Sequence, residues 1–271
     1  MAYERPGESP LDYQQCRYGN SKLLFRGPKK DTKETYLAFI GGTETYGKYI
    51  EHPFPALVEE QLDMPCLNFG SVNASVDAFV NDDSVLGLAS KAKLTIVQAT
   101  GAHNLSNRFY SVHPRRNDRF LKASTLMQTI FRDVDFTDFS FTRHMLTTLM
   151  AISPDRFEVV SQELKSAWVA RMQLMLSKIS GRVILLWVSE QAPEAEGKHQ
   201  DLGPNPLFVD LAMIEAVRGM VSEYVEVVVP PEIISCGTEG MLYPQLEAAA
   251  ASEMYGPLLH ELIAKRLLEE I

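Results

Sequence analysis

Apolar residues fall into five short runs, at positions 36–42, 65–70, 94–100, 182–189 and 224–229. Each is rich in β-branched or aromatic residues and nearly continuous rather than alternating, the mark of strands covered on both faces. Between the runs the period changes to three or four. Phe54, Leu57, Val58 and Leu62 line one face of a helix opened by Glu51-His52-Pro53, with proline at an early position. Phe120, Ala123, Met127, Ile130 and Phe131 predict a second helix, and Phe157, Val160, Leu164, Trp168, Met172, Met175 and Ile179 a long third. Residues 208–221 and 257–271 supply two more, and Ala248 to Ala251 is a short helix-forming run.

Strands that alternate with helices pair in parallel through right-handed crossovers. The pattern therefore predicts a doubly wound α/β fold, a mainly parallel five-stranded sheet with helices on both faces. One domain is expected over residues 36–271, with a mostly helical insertion at about 101–180 that caps the site. A polar, turn-rich arm over residues 1–35 is expected to lie on that body.

At 271 residues, 45% apolar and 23% charged, the chain has the material for a sizeable core. A net charge of −9 argues against a nucleic-acid or membrane partner, since either would need a dominant basic field. Any anion site must therefore be local. No run approaches the ~18 apolar residues of a membrane span and no charged leader opens the chain, so a cytoplasmic location is expected. Cys16, Cys66 and Cys236 are odd in number and lack CxxC spacing, which suits free thiols. No metal-ligand spacing and no cofactor motif is evident, so none is expected.

In doubly wound sheets ligands bind beyond the carboxyl ends of the strands, where strand order reverses. The loops placed there are Gly41 to Lys48, Gly70 to Asp77, Gly101 to Asp118, Ser189 to Pro206 and Ser235 to Pro244. In the first, Gly41-Gly42-Thr43-Glu44-Thr45 turns from strand into helix and offers amide donors suited to an oxyanion, phosphate or sulfate. Thr43 reads either as a hydroxyl nucleophile or as a cap for that helix. The third loop gathers His103, Arg108, His113, Arg115, Arg116 and Arg119 in an otherwise acidic protein. Arginine's planar fork matches carboxylate, phosphate or sulfate oxygens, so these either clamp an anionic ligand or pair with acids such as Asp118, Asp133 and Asp135. His144 is expected to be a partly buried helical residue, His199 to lie in an acidic, flexible segment, His260 on the last helix and His52 beside Pro53. Phe136, Phe139 and Phe141 read as core or lid packing.

The blocks G-G-T-E-T, N-F-G and G-A-H-N, each after a strand, resemble those of the SGNH, or GDSL, hydrolase superfamily. That resemblance implies a doubly wound sheet with a nucleophile in a first block G-D-S-x-[ST]. Gly41 keeps its place, Gly42 stands at the aspartate and Thr43 at the serine. Gly70 matches the glycine of the second block, whose amide serves the oxyanion hole. In the third block, G-x-N-D, Gly101 matches while His103 falls on the asparagine and Asn104 on the aspartate. In the last, D-x-x-H-P, Tyr243 takes the histidine position, with Gly240 or, after a one-residue shift, Glu239 at the aspartate. A phenol, which ordinarily titrates near pH 10, is a poor base at neutral pH, which leaves His103 and then Glu44 as the nearest candidates by topology. The arm, the GGTETYG and HPRRNDRF loops and the GTEGM segment also resemble a family of alphaproteobacterial proteins, a likeness that implies no activity.

The resulting expectation is a protein that acts on or binds an anionic or ester-bearing small molecule, by acyl transfer or ester hydrolysis. Thr43 and His103 would be catalytic, and Gly42, Gly70, Asn104 and Glu44 would form the oxyanion or anion site. Arg108, His113, Arg115, Arg116, Glu239 and Tyr243 would face the substrate. Two alternatives stand beside it: a non-catalytic binder of a phosphorylated, sulfated or nucleotide-linked ligand, and a transferase using coenzyme A or an activated sulfate. The arm is a candidate for crossing to a second copy.

Overall fold

The computed structural model describes residues 10–194 and 201–271. Its strands are β1 (Leu37–Gly41), β2 (Cys66–Gly70), β3 (Leu94–Gln98), β4 (Tyr110–His113), β5 (Arg116–Ala123), β6 (Val183–Ser189) and β7 (Glu223–Val228). Five of them form one sheet in the order β2-β1-β3-β6-β7, every neighbouring pair parallel, while β4 and β5 make a separate antiparallel hairpin. The order runs outward from β1 to β2 and then crosses to β3. The switch point thus lies between the carboxyl ends of β1 and β3, where a doubly wound sheet opens its crevice.

The helices are α1 (Thr43–Tyr46), α2 (Phe54–Leu62), α3 (Asp83–Ala89), α4 (Thr125–Ile130), α5 (Thr142–Ile152), α6 (Pro154–Ser177), α7 (Leu211–Arg218), α8 (Pro231–Ser235), α9 (Ala248–Ala251) and α10 (Pro257–Leu268). Every residue of β1, β2, β3 and β6 is buried. Because side chains alternate across a strand, this continuous burial needs cover on both faces. Leu37 and Phe39 pack on one face with Phe54 and Val58 of α2 and Leu259 and Ile263 of α10. Ala38 and Ile40 pack on the other with Val85 and Leu86 of α3, Trp168 and Met172 of α6 and Ile214 of α7. The expected α/β sheet with helices on both faces is the observed one.

Helix α6 begins where Ser153 caps the amide of Arg156 and Pro154 takes an early position. Its stripe from Phe157 to Met175 is buried, and Ile179 lies just beyond its end. The second expected helix is shorter than its stripe. Phe120 and Ala123 belong to β5, and only α4 follows. In β5 the buried positions are Asn117, Phe120 and Ala123, a spacing of three that imitates a helix. The cause is an irregular register, with shifts either side of Val112 in the partner strand. The segment after β3 therefore begins as a hairpin before it becomes helical. His144 lies on α5 but is exposed, edge-on to Phe139 at 5.1 Å, rather than partly buried. Phe136 is buried, whereas Phe141 is exposed beneath the Arg119 guanidinium, 4.2 Å from its ring centre. His199 and residues 1–9 of the arm lie outside the described residues.

The rest of the arm is built into the body. Tyr18, Leu23 and Phe25 join the larger core cluster, and the Phe25 ring stands edge-on to Phe69 of β2 at 5.1 Å. Arg26 donates to the backbone carbonyls of Gly47 at 2.6 Å and Glu51 at 2.8 Å. Tyr13 accepts from the amide of Tyr49 at 2.9 Å. Among the described residues no helix is long and apolar enough to cross a membrane.

The Phe25→Ala variant removes a fully buried ring from this junction. It should lower the unfolding free energy by about 3–5 kcal/mol. Urea titration monitored by circular dichroism would show the midpoint falling, and an unchanged midpoint would mean that the arm adds nothing to the core.

Candidate functional site

Two buried carboxamides fix the loop after β1. Gln98, at the end of β3, accepts from the Gly42 amide at 3.0 Å and the Thr45 hydroxyl at 2.7 Å, and donates to Glu44 Oε2 at 2.8 Å. Asn68, in β2, donates to the Thr45 carbonyl at 2.7 Å and accepts from the Gly70 amide at 2.8 Å. The close packing explains two of the glycines. A Cβ at Gly41 would stand 2.1 Å from Thr45 Oγ1, and one at Gly70 would stand 2.2 Å from the Tyr46 amide nitrogen. Both expected oxyanion donors, Gly42 and Gly70, are thus already bonded within the protein, and Glu44 is held by Gln98.

Thr43 opens α1 and is half-buried. Its Oγ1 accepts from the Asn73 amide at 3.0 Å and lies 3.4 Å from Asn73 Oδ1. Asn73 Nδ2 in turn donates to Asp118 Oδ2 at 3.3 Å. Burial raises the proton affinity of Asp118 above the usual aspartate range, against the lowering effects of the Asn73 hydrogen bond and of Arg119 and Arg116. A hydroxyl, an amide and a reluctant carboxylate therefore stand in one line, drawn from the loops after β1 and β2 and from β5. On the Glu44 side, Tyr255 donates to Glu190 Oε1 at 3.5 Å. Its phenol is pushed up by burial, then by Glu190 and Glu44.

His103 is not hydrogen-bonded to Thr43. Its Nδ1 is buried, unpartnered among the described residues, and close to Gly101: a Cβ there would meet it at 2.7 Å. Burial, with Arg143 nearby, lowers the imidazole to about 3, so it is neutral at physiological pH. Thr100 Oγ1 is likewise buried without a partner. Asn104 is locked: its Oδ1 accepts from Thr142 at 2.6 Å and its Nδ2 donates to the Asn73 carbonyl at 3.4 Å.

The basic residues separate. Arg108 pairs with Glu163, Nη2 to Oε2 at 2.6 Å, well away from any ligand role in this arrangement. His113 Nδ1 accepts from the Arg115 amide at 3.2 Å and so shapes the tip of the hairpin. Arg115 and Arg116 are exposed at that tip and make no side-chain ion pair among the described residues. Asp133 pairs with Arg156 instead, and Asp135 bonds Thr137. Glu239 is exposed, and Tyr243 donates to Thr238 Oγ1 at 3.1 Å and packs its ring on Tyr49. Tyr243 thus takes no part in the Thr43 line.

With this geometry in hand, comparison with known proteins gives a family. The profile of a domain of unknown function, DUF6473, matches residues 1–271. The chain belongs to DUF6473. No curated protein matches it in sequence. Among solved structures the DUF6473 chain is similar to a family two carbohydrate esterase from Clostridium thermocellum in complex with cellohexaose, at 13% identity and a TM-score of 0.42, covering 92% of this chain and 66% of the esterase. It is similar to a gut microbial diltiazem-metabolizing enzyme at 13% identity and a TM-score of 0.38, covering 89% of this chain and 48% of that one. A lipase from a goat rumen metagenome gives 10% identity and a TM-score of 0.40, covering 87% and 97%. The chain therefore spans about two thirds and about half of the first two. At such identities and scores none of the three bears on activity in DUF6473.

Gln98, Asn73 and Asp118 are the site residues that loop reading missed. Gln98 had a signal, a polar residue ending an apolar run at the switch point. Asn73 and Asp118 lie in two of the loops expected at the site, but only the fold of the hairpin against the β2 loop brings their side chains together.

Gln98→Leu would leave the Gly42 amide and the Thr45 hydroxyl unpaired. It is expected to cost about 1–3 kcal/mol for each donor stranded, read as a lower urea midpoint with the far-ultraviolet spectrum unchanged. The histidines make a second expectation. His103 and His260 fall from 6.5 to about 3 on folding. The unfolded chain takes up protons below pH 6.5 that the folded chain refuses, so stability should decline as pH drops from about 6.5 towards 3. Urea midpoints measured across that range would show it, and His103→Gln should flatten the decline.

Proposed function

We propose that the site beyond the carboxyl end of β1, beside the switch point, acts on a small ester-bearing molecule that also carries negative charge. The observation that supports this is the line from Thr43 through Asn73 to Asp118, set at the mouth of a doubly wound sheet. In this reading the Thr43 hydroxyl adds to the acyl carbon. Asn73 gives up its contact with Thr43 to the substrate, and the hydroxyl proton passes through a water to Asp118. The alcohol leaves with that proton, and water then hydrolyses the acyl-threonine. Asp118 suits the part because its raised proton affinity brings it nearer the operating pH. Arg115 and Arg116, exposed and without ion-pair partners among the described residues, supply the attraction for the substrate's charge.

A second reading is favoured by the internal bonding of the Gly42 and Gly70 amides, which engages both of the glycine donors expected for an oxyanion hole. In it the same crevice binds a phosphorylated or sulfated ligand and performs no chemistry.

The two readings part on one assay. If the first holds, the protein hydrolyses p-nitrophenyl acetate, Thr43→Ala loses about a hundredfold or more of that rate, a loss comparable to removing an oxyanion donor, and the rate falls as pH drops below the raised Asp118 titration. A Thr43→Ala variant of undiminished activity ends the nucleophile reading. Absence of turnover, with a thermal stabilisation by a sulfated ligand that Arg115→Ala with Arg116→Ala abolishes, is the outcome of the second.

A further inference from the structure

At the open end of the hairpin, opposite the tip that carries Arg115 and Arg116, lies a separate concavity of about 290 Å³. Its walls come from the loop before β4, both hairpin strands, the start of α4 and the middle of α6, through Ser106, Tyr110, Ser111, Lys122, Ser124 and Arg171. Most of the polar side chains there can donate hydrogen bonds. Arg171 commits Nε to Asp77 Oδ1 at 2.9 Å, and the other Asp77 oxygen takes the Ser106 amide at 2.8 Å. That anchor holds the guanidinium still, and its two terminal nitrogens have no partner among the described residues.

Lys122 stands across the hairpin from Ser111, exposed and without an acid partner among the described residues. The Ser106 and Ser124 oxygens accept from the amides of Val112 at 3.1 Å and Met127 at 3.2 Å, so their hydroxyl hydrogens remain to be given. The side-chain oxygen of Asn107 is taken by the amides of Phe109 and Tyr110. Arg171, Asp77 and Lys122 together leave one positive charge in a protein whose net charge is −9.

A cavity that offers a fixed guanidinium, an ammonium and several hydroxyl hydrogens is complementary to an oxyanion. We propose that this concavity is a second binding site, for a phosphorylated or sulfated small molecule about the size of a monosaccharide. The volume sets the size, near the lower end of small-molecule pockets at roughly 300 Å³. The serine hydroxyls would bond phosphate or sugar oxygens.

The test is calorimetric titration of the full chain with glucose 6-phosphate, inorganic phosphate and glucose at matched ionic strength. The two phosphates should bind and glucose should not, and Lys122→Ala should weaken phosphate binding by about tenfold or more, the loss of one charge-assisted hydrogen bond. Lys122 is exposed, so the variant should fold as the parent does. Ser111→Ala should weaken it less. Equal binding by the parent and Lys122→Ala, or no heat with either phosphate, would each overturn the assignment.

Discussion

The carboxamide of Gln98 is the contact on which the crevice depends. It is 6% exposed, at the end of the central β3, and it engages an amide, a hydroxyl and a carboxylate of the loop after β1 at once. A buried amide group is costly unless its polar atoms are bonded, and here both ends are. The same contact lets Gly41 press against Thr45 and aims the amino end of α1 at the switch point. Asn68 does the matching task from the other neighbour of β1, so the two strands that flank β1 grip its loop from either side.

The hairpin of β4 and β5 then decides what faces that loop. Asn117, 1% exposed, accepts from both the amide and the hydroxyl of Ser75 and so docks the hairpin on the loop after β2. Asp118 reaches Asn73 as a result. Its neighbours on the strand, Arg119 and Arg116, temper the rise in proton affinity that burial imposes on this carboxylate. One short antiparallel element thereby supplies an acid to the crevice and cations at its tip, while its far end faces a different hollow.

How much of this could be read from the chain follows from the range of each interaction. Four of the runs were legible because a strand buried on both faces must be apolar at successive positions, whichever strands flank it, while β7, at the sheet edge, is buried only at Val225 and Val227 and is not covered on both faces as expected. The place of the site was legible because ligands in such a sheet lie beyond the carboxyl ends of its strands. The residues inside it were harder. A glycine-rich turn shows that amides approach one another, but not whether Gln98 or a ligand will take them. The buried spacing of three at Asn117, Phe120 and Ala123 arises from a register shift with the partner strand, which no local period encodes. Tyr243 and His103 fall at the expected places in the order of blocks, yet their side chains turn to Thr238 and to Gly101, because loop backbones and not block order aim them.

Arg26 gives the arm a meaning beyond packing. Its guanidinium, desolvated and lowered in pKa for that reason, hydrogen-bonds carbonyls just past α1, at Gly47 and Glu51. Arg26 and Gly47 stand 21 positions apart in the chain. The conformational entropy of the crevice loop is therefore reduced partly by a segment that never enters the crevice. Folding of the arm and readiness of the site become one cooperative event, and a disturbance at either end is felt at the other as a change in order rather than in contact chemistry.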